Sequence, residues 1–142
     1  MSITWVMVAN ASHAKLFSNE GPNKGLQLIK ELSHPESREK ASELVSDRIG
    51  NFAGSGSYAQ PTPPKVHEAE RFAAEIAQEL EHGRLQNTYG RLILVTSAHF
   101  MGLLNDRLSQ PVRDKISDSI NKDYTSLQVK ELAGHLENYI RL

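Results

Sequence analysis

The chain has 142 residues, 39% of them hydrophobic and 23% charged, which suits one folded domain burying roughly two thirds of the surface of its unfolded chain. No cysteine occurs, which excludes a disulfide framework, a thiol nucleophile and any Cys-ligated zinc or iron–sulfur site. With 16 basic against 17 acidic residues the net charge is −1, so nucleic acid cannot be held by bulk phosphate neutralisation and would need a local basic patch.

In chain order, Ile3 to Ala9 is a near-continuous apolar, β-branched run, as expected of a strand covered on both faces. It is followed by Ala9-Asn10-Ala11, a small-x-small triplet, but no Lys or Arg precedes the run and it is short for a signal peptide. A buried strand is the better reading. Asn10 to His13 is a polar turn, a short strand follows around Lys15-Leu16-Phe17, and Gly21-Pro22-Asn23-Lys24-Gly25 is dense in turn residues. Leu26 to Leu32 makes a third strand, and the short turns predict an antiparallel meander.

Residues 33–64 are irregular in pattern. Pro35 can open a short helix with Ala41, Leu44, Val45 and Ile49 on one side, and a Gly/Pro-rich loop at about 49–64 follows. Thr62-Pro63 is a helix start, and Val66, Ala69, Phe72, Ala73, Ile76 and Leu80 then form an apolar stripe at helical spacing. Glu68, Glu70, Arg71, Glu75 and Glu79 are expected to face water, and His82-Gly83 to end the helix. Leu92 to Val95 is a second fully apolar strand. Ser97 can cap a helix carrying Phe100, Leu103, Leu104 and Leu108. Ile116 to Ile120 alternates like an edge strand with one wet face, Thr125 to Gln128 reads as a capping box, and Leu132, Leu136 and Ile140 give the last helix its buried side.

The predicted architecture is a single α/β domain over residues 1–142, βββαβαβα, with a mixed five-stranded sheet of order 3-2-1-4-5 and right-handed crossovers. The C-terminal ends of strands 1, 3, 4 and 5 then share one edge. That edge gathers the Asn10–His13 turn, the long loop, the helix starts at Lys65 and His67, Thr96 to His99, and Lys122 to Thr125. Helix N-termini point at it and favour anions, and ligands of open α/β sheets sit at such edges. The expected binding residues are Asn10, Ser12, His13, Arg48, Lys65, His67, Ser97 and His99.

Several stretches carry a family resemblance. Trp5 to Phe17, Ser46-Asp47-Arg48-Ile49-Gly50, His67 to Ala73, Phe100 to Leu104 and Asn121 to Thr125 together resemble the bacterial host-attachment protein family across nearly the whole chain. The resemblance implies a need for attachment to host cells but supplies no biochemical activity. More distantly, the arrangement is similar to the middle domain of archaeal and eukaryotic peptide-chain release factors, which implies a three-layer ribonuclease H-like fold. In those factors a Gly-Gly-Gln triplet before a long helix promotes peptidyl-tRNA hydrolysis. Here Gly54-Ser55-Gly56-Ser57 occupies the loop and Gln60 is not preceded by two glycines, so peptide release does not carry over.

No complete catalytic set is present. The carboxylates that would hold two Mg²⁺ ions in a ribonuclease H-like nuclease are missing from strands 1 and 4. His67-Glu68 begins like a zinc-protease helix, but position 71 is Arg where HExxH needs its second histidine. Ser97 lacks a G-x-S-x-G setting, and the Gly-Ser loop lacks both phosphate-loop patterns. No cofactor or metal is expected. The expectation is a non-enzymatic, cytoplasmic binding protein that contacts ribosome or tRNA without inserting into a membrane. A hydrolase using His13 or His99 on a small anion, and a homodimer pairing through sheet edges, are the alternatives.

Overall fold

Residues 4–9 are buried at all six positions, as a strand with neighbours on both sides and a layer on both faces requires. In the computed structural model, which describes residues 3–33 and 64–142 apart from the side chains of residues 64–66, this strand is β1 (Thr4–Ala9). It is followed by β2 (His13–Asn19), β3 (Gln27–Ser33), α1 (Pro64–Leu85), β4 (Arg91–Thr96), α2 (Ala98–Asn105), α3 (Gln110–Arg113), β5 (Ile116–Ile120) and α4 (Val129–Leu136). The helix expected from Pro35, the 49–64 loop and Arg48 lie outside the described residues.

The sheet order is β3-β2-β1-β4-β5, as the sequence predicts. β1 runs antiparallel to β2 and parallel to β4, with Ala9 opposite Ala14 on one side and Thr96 on the other. β4 and β5 are parallel, so strands β1, β3, β4 and β5 end at one edge. Helices cover both faces. Trp5, Met7 and Ala9 pack with α1, α2 and α3, whereas Val6 and Val8 pack with Leu132, Leu136 and Ile140 around α4. The period-2 alternation of β1 therefore divides one strand between two cores.

Some local expectations need correction. The bulge in β5 sets Leu92 opposite Ile116 but Ile93 opposite Asp118, so Ile116 meets the α1/α2 core and Ile120 the α4 core rather than sharing one face. Glu68 does not face water: it is 8% exposed, and its carboxylate meets Arg71 at 3.5 Å. The Thr125 capping box does not form. α4 starts three residues later behind Gln128, whose backbone N–H donates to Glu131 at 3.5 Å, while Thr125 is held by Asp123. Ser97 stands at the start of α2, but its hydroxyl makes no capping bond. The sequence reading also lacked α3, a single turn begun by Ser109 and Pro111.

α1 passes through Gly83 because the helix needs no side chain there. A Cβ at Gly83 would lie 2.3 Å from the Trp5 ring, and Trp5 in turn stacks on Tyr89 at 4.5 Å. The Tyr89 hydroxyl donates to the Leu80 carbonyl at 2.6 Å, and burial pushes its phenol up to about 12. Close by, Arg84 donates to Glu81 at 2.8 and 2.9 Å, and Ser109 Oγ donates to the same carboxylate at 3.0 Å, joining α1 to the start of α3. The Arg84 hydrogen bonds, reinforced by Ser109 and outweighing partial desolvation, hold the Glu81 carboxyl at about 2, below its ordinary 4.5.

Two outcomes follow from this end of the molecule. Gly83→Ala should cost about 1–3 kcal/mol by overpacking against the Trp5 ring, read as a lower urea midpoint in circular dichroism. Glu81 binds its proton more weakly folded than unfolded, so its contribution is complete above its unfolded pKa and fades as pH falls from about 4.5 towards 2. Glu81→Gln should therefore flatten that part of the acid-stability profile relative to the parent protein, as measured by thermal melts across the range.

Candidate functional site at the C-terminal edge of the sheet

At the end of β1 the chain leaves the sheet through Asn10, and this side chain is fully engaged. Its Oδ1 accepts from the backbone N–H groups of Ser12 and His13 at 2.9 and 2.8 Å, and its own N–H donates to the His13 carbonyl at 2.8 Å. This is the local turn chemistry that Asn offers between two strands. Its Nδ2 reaches across to the segment after β5, donating to Thr125 Oγ1 at 3.0 Å and to Asp123 Oδ2 at 3.3 Å. Asp123 also receives the Thr125 hydroxyl at 2.6 Å and its N–H at 3.1 Å. Asn10 thus staples the β1–β2 turn to the β5–α4 connection.

Beside this staple lies an open polar depression of about 490 Å³, lined by Asn10, His13, Lys15, Asp123, Thr125 and Ser126. The alternation of β2 explains its make-up. Ala14 and Leu16 face the α1/α2 core and Phe17 faces the α4 core, so His13 and Lys15 emerge on the α4 side. The Lys15 side chain has no hydrogen bond or ion pair among the described residues. His13 is exposed, and its Nδ1 lies 3.4 Å from Ser12 Oγ. Ser12 itself is only 2% exposed and is turned to Asn10, so it supports the turn instead of facing a ligand.

The remaining expected residues fall elsewhere. Ser97 is half-exposed and His99 exposed at the start of α2, and α2 belongs to the α1 layer. His13 emerges on the α4 side, and His99 is not among the residues that line the depression beside Asn10. His67 is exposed in the first turns of α1, Lys65 is in the same helix with its side chain outside the description, and Arg48 is outside it altogether. Lys15, Asp123, Thr125 and Ser126 were missed as site residues. The two-residue step from His13 to Lys15 along a strand, and the Asp-x-Thr turn after β5, are the signals that could have found them. Among the described residues, no three His, Asp or Glu side chains gather as a metal-ligand set, and no helix is long and apolar enough to cross a membrane.

A family model described as "Protein required for attachment to host cells" matches residues 5–136, and the chain belongs to that family. No curated protein matches it. Among solved structures, an archaeal translation termination factor, aRF1, is similar at a TM-score of 0.59 and 10% identity, over 97% of this chain and 35% of that one. A non-polymerisable quadruple mutant of pCBH ParM is similar at a TM-score of 0.54 and 7% identity, over 97% of this chain and 47% of that one. The chain spans less than half the length of either. At such identities the likeness is one of fold, a three-layer ribonuclease H-like domain with sheet order 3-2-1-4-5.

Replacing Asn10 removes a group that satisfies backbone donors in the β1–β2 turn and side-chain acceptors in the β5–α4 connection. Asn10→Ala should lower unfolding free energy by about 1–3 kcal/mol, and amide exchange should quicken both at residues 12–13 and at 123–125. Acceleration confined to the β1–β2 turn would show that the cross-link to the β5–α4 connection has no energetic weight.

Proposed function

We propose that this host-attachment protein is a non-enzymatic binding protein, that it engages structured RNA or the ribosome through the depression beside Asn10, and that attachment depends on it through that binding. Lys15 carries this reading. It is a half-buried strand lysine at the rim of a polar depression, with no carboxylate paired to it among the described residues, and His13 and Ser126 stand beside it. A lysine held in place without an internal partner is available to a phosphate, and a local contact of this kind is what a chain of net charge −1 can offer.

The polar groups at this rim favour binding over chemistry. A nucleophile needs a base within reach and an open path to substrate. Ser12 and His13 have the proximity, but Ser12 is buried and turned to Asn10. Of the two bases considered for hydrolysis, His13 lines this depression and His99 does not. The shared fold with a translation termination factor adds support for a translation-related partner, at the level of analogy alone.

Titration of labelled tRNA and of ribosomal subunits at two salt concentrations tests the proposal. Contacts to about two phosphates should weaken binding roughly tenfold when salt is raised fourfold, and Lys15→Ala should remove about one phosphate from that dependence. Absence of salt-sensitive binding to either partner would end the RNA reading.

A further inference from the structure

On the other side of the sheet, the start of α2 has donors and no acceptor. The backbone N–H groups of Ala98, His99 and Phe100 meet no acceptor among the described residues, and the helix hydrogen bonds begin only with Met101 donating to the Ser97 carbonyl at 2.9 Å. Ser97, in the capping position with extended backbone, does not turn its hydroxyl onto them. Such a first turn concentrates partial positive charge.

A second observation is independent of the helix. Thr96, the last residue of β4, is 1% exposed, and its Oγ1 is buried without a hydrogen-bond partner among the described residues. Leu92 and Leu94 belong to the α1/α2 core, so strand alternation puts Thr96 on that same face, the one α2 covers through Phe100, Met101 and Leu104. A buried hydroxyl left unbonded is uncommon, and one reason for it is a ligand that completes the set. The position agrees: β1 and β4 are adjacent and parallel, and the chain leaves β1 towards β2 but leaves β4 towards β5. Ligands of open α/β sheets bind at that divergence.

We propose that the first turn of α2 is a small-anion site, distinct from the Lys15 depression, that takes the phosphate group of a small molecule. The oxygens of a phosphate accept from the free amides of Ala98, His99 and Phe100 and from the Ser97 hydroxyl. Thr96 Oγ1 donates from the sheet side, and exposed His99 borders the entrance. A tetrahedral anion suits this set because it presents several acceptors at once, enough for a helix end and the neighbouring hydroxyls.

Inorganic phosphate, titrated into the uniformly ¹⁵N-labelled protein at constant ionic strength against sodium chloride, is the probe. The amides of Ala98, His99 and Phe100 should shift saturably, and the thermal midpoint should rise with phosphate. Thr96→Val, which keeps shape and removes the donor, should weaken binding tenfold or more, and Thr96→Ser should restore it. The phosphate-induced shifts of the Ala98, His99 and Phe100 amides should saturate independently of any shifts at residues 13–15, which separates this site from the proposed RNA contact. Shifts equal to those in chloride, or equal affinity in Thr96→Val and the parent protein, would overturn the proposal.

Discussion

Parallel pairing of β1 with β4, with Ala9 opposite Thr96, determines which residues of this chain can act together. Both strands are buried on two faces, so neither can slip by one residue without driving Val6, Val8, Ile93 and Val95 into the opposite core. Once that register is fixed, the chain leaves the sheet at the neighbouring positions Asn10 and Ser97, from which β1 turns into β2 and β4 runs into α2 of the α1 layer. The edge consequently carries two groups of polar residues. One is walled by the β1–β2 turn and the β5–α4 connection, and the other by the start of α2.

The two halves use their polar residues differently. On the α4 side Asn10, Ser12, Asp123 and Thr125 satisfy one another, which stiffens the wall and leaves Lys15 and His13 as the groups without strong internal obligations. On the α2 side the hydroxyls of Thr96 and Ser97 have no hydrogen bond among the described residues. A rigid, self-satisfied frame around a few uncommitted donors is the general form of a binding site, because the cost of ordering the frame is met in folding and not on association.

Much of this was legible in the sequence. Unbroken apolar runs at Ile3–Ala9 and Leu92–Val95 identify the central strands, and the 3.6-residue stripe from Val66 to Leu80 identifies the long helix. Order and handedness rules then lead to the sheet order, and so to the edge at which β1, β3, β4 and β5 end. What escaped is what depends on sub-residue geometry. A bulge in β5 turns Ile116 away from the face of Ile120, which no periodicity can announce. Asn10 looks like a contact residue until its partners 113 and 115 positions away are known. The same holds for Glu68, a charge in the polar part of a helical pattern that tertiary packing nonetheless covers. His13 lines the depression beside Asn10 and His99 does not, a distinction that a common sheet edge does not reveal.

The chain has a single tryptophan, and its placement governs what light can report about this molecule. Trp5 is buried near the beginning of β1, wedged between Tyr89 and the bare backbone of Gly83. It is five residues from Asn10 along an extended strand, roughly 17 Å at strand rise. Its intrinsic emission monitors the seating of the far end of α1 and is shielded from solvent at the opposite rim. Quenching on addition of a ligand at that rim would therefore signify a displacement relayed along β1 or α1, making the indole a built-in gauge of rigidity between the two ends of the sheet.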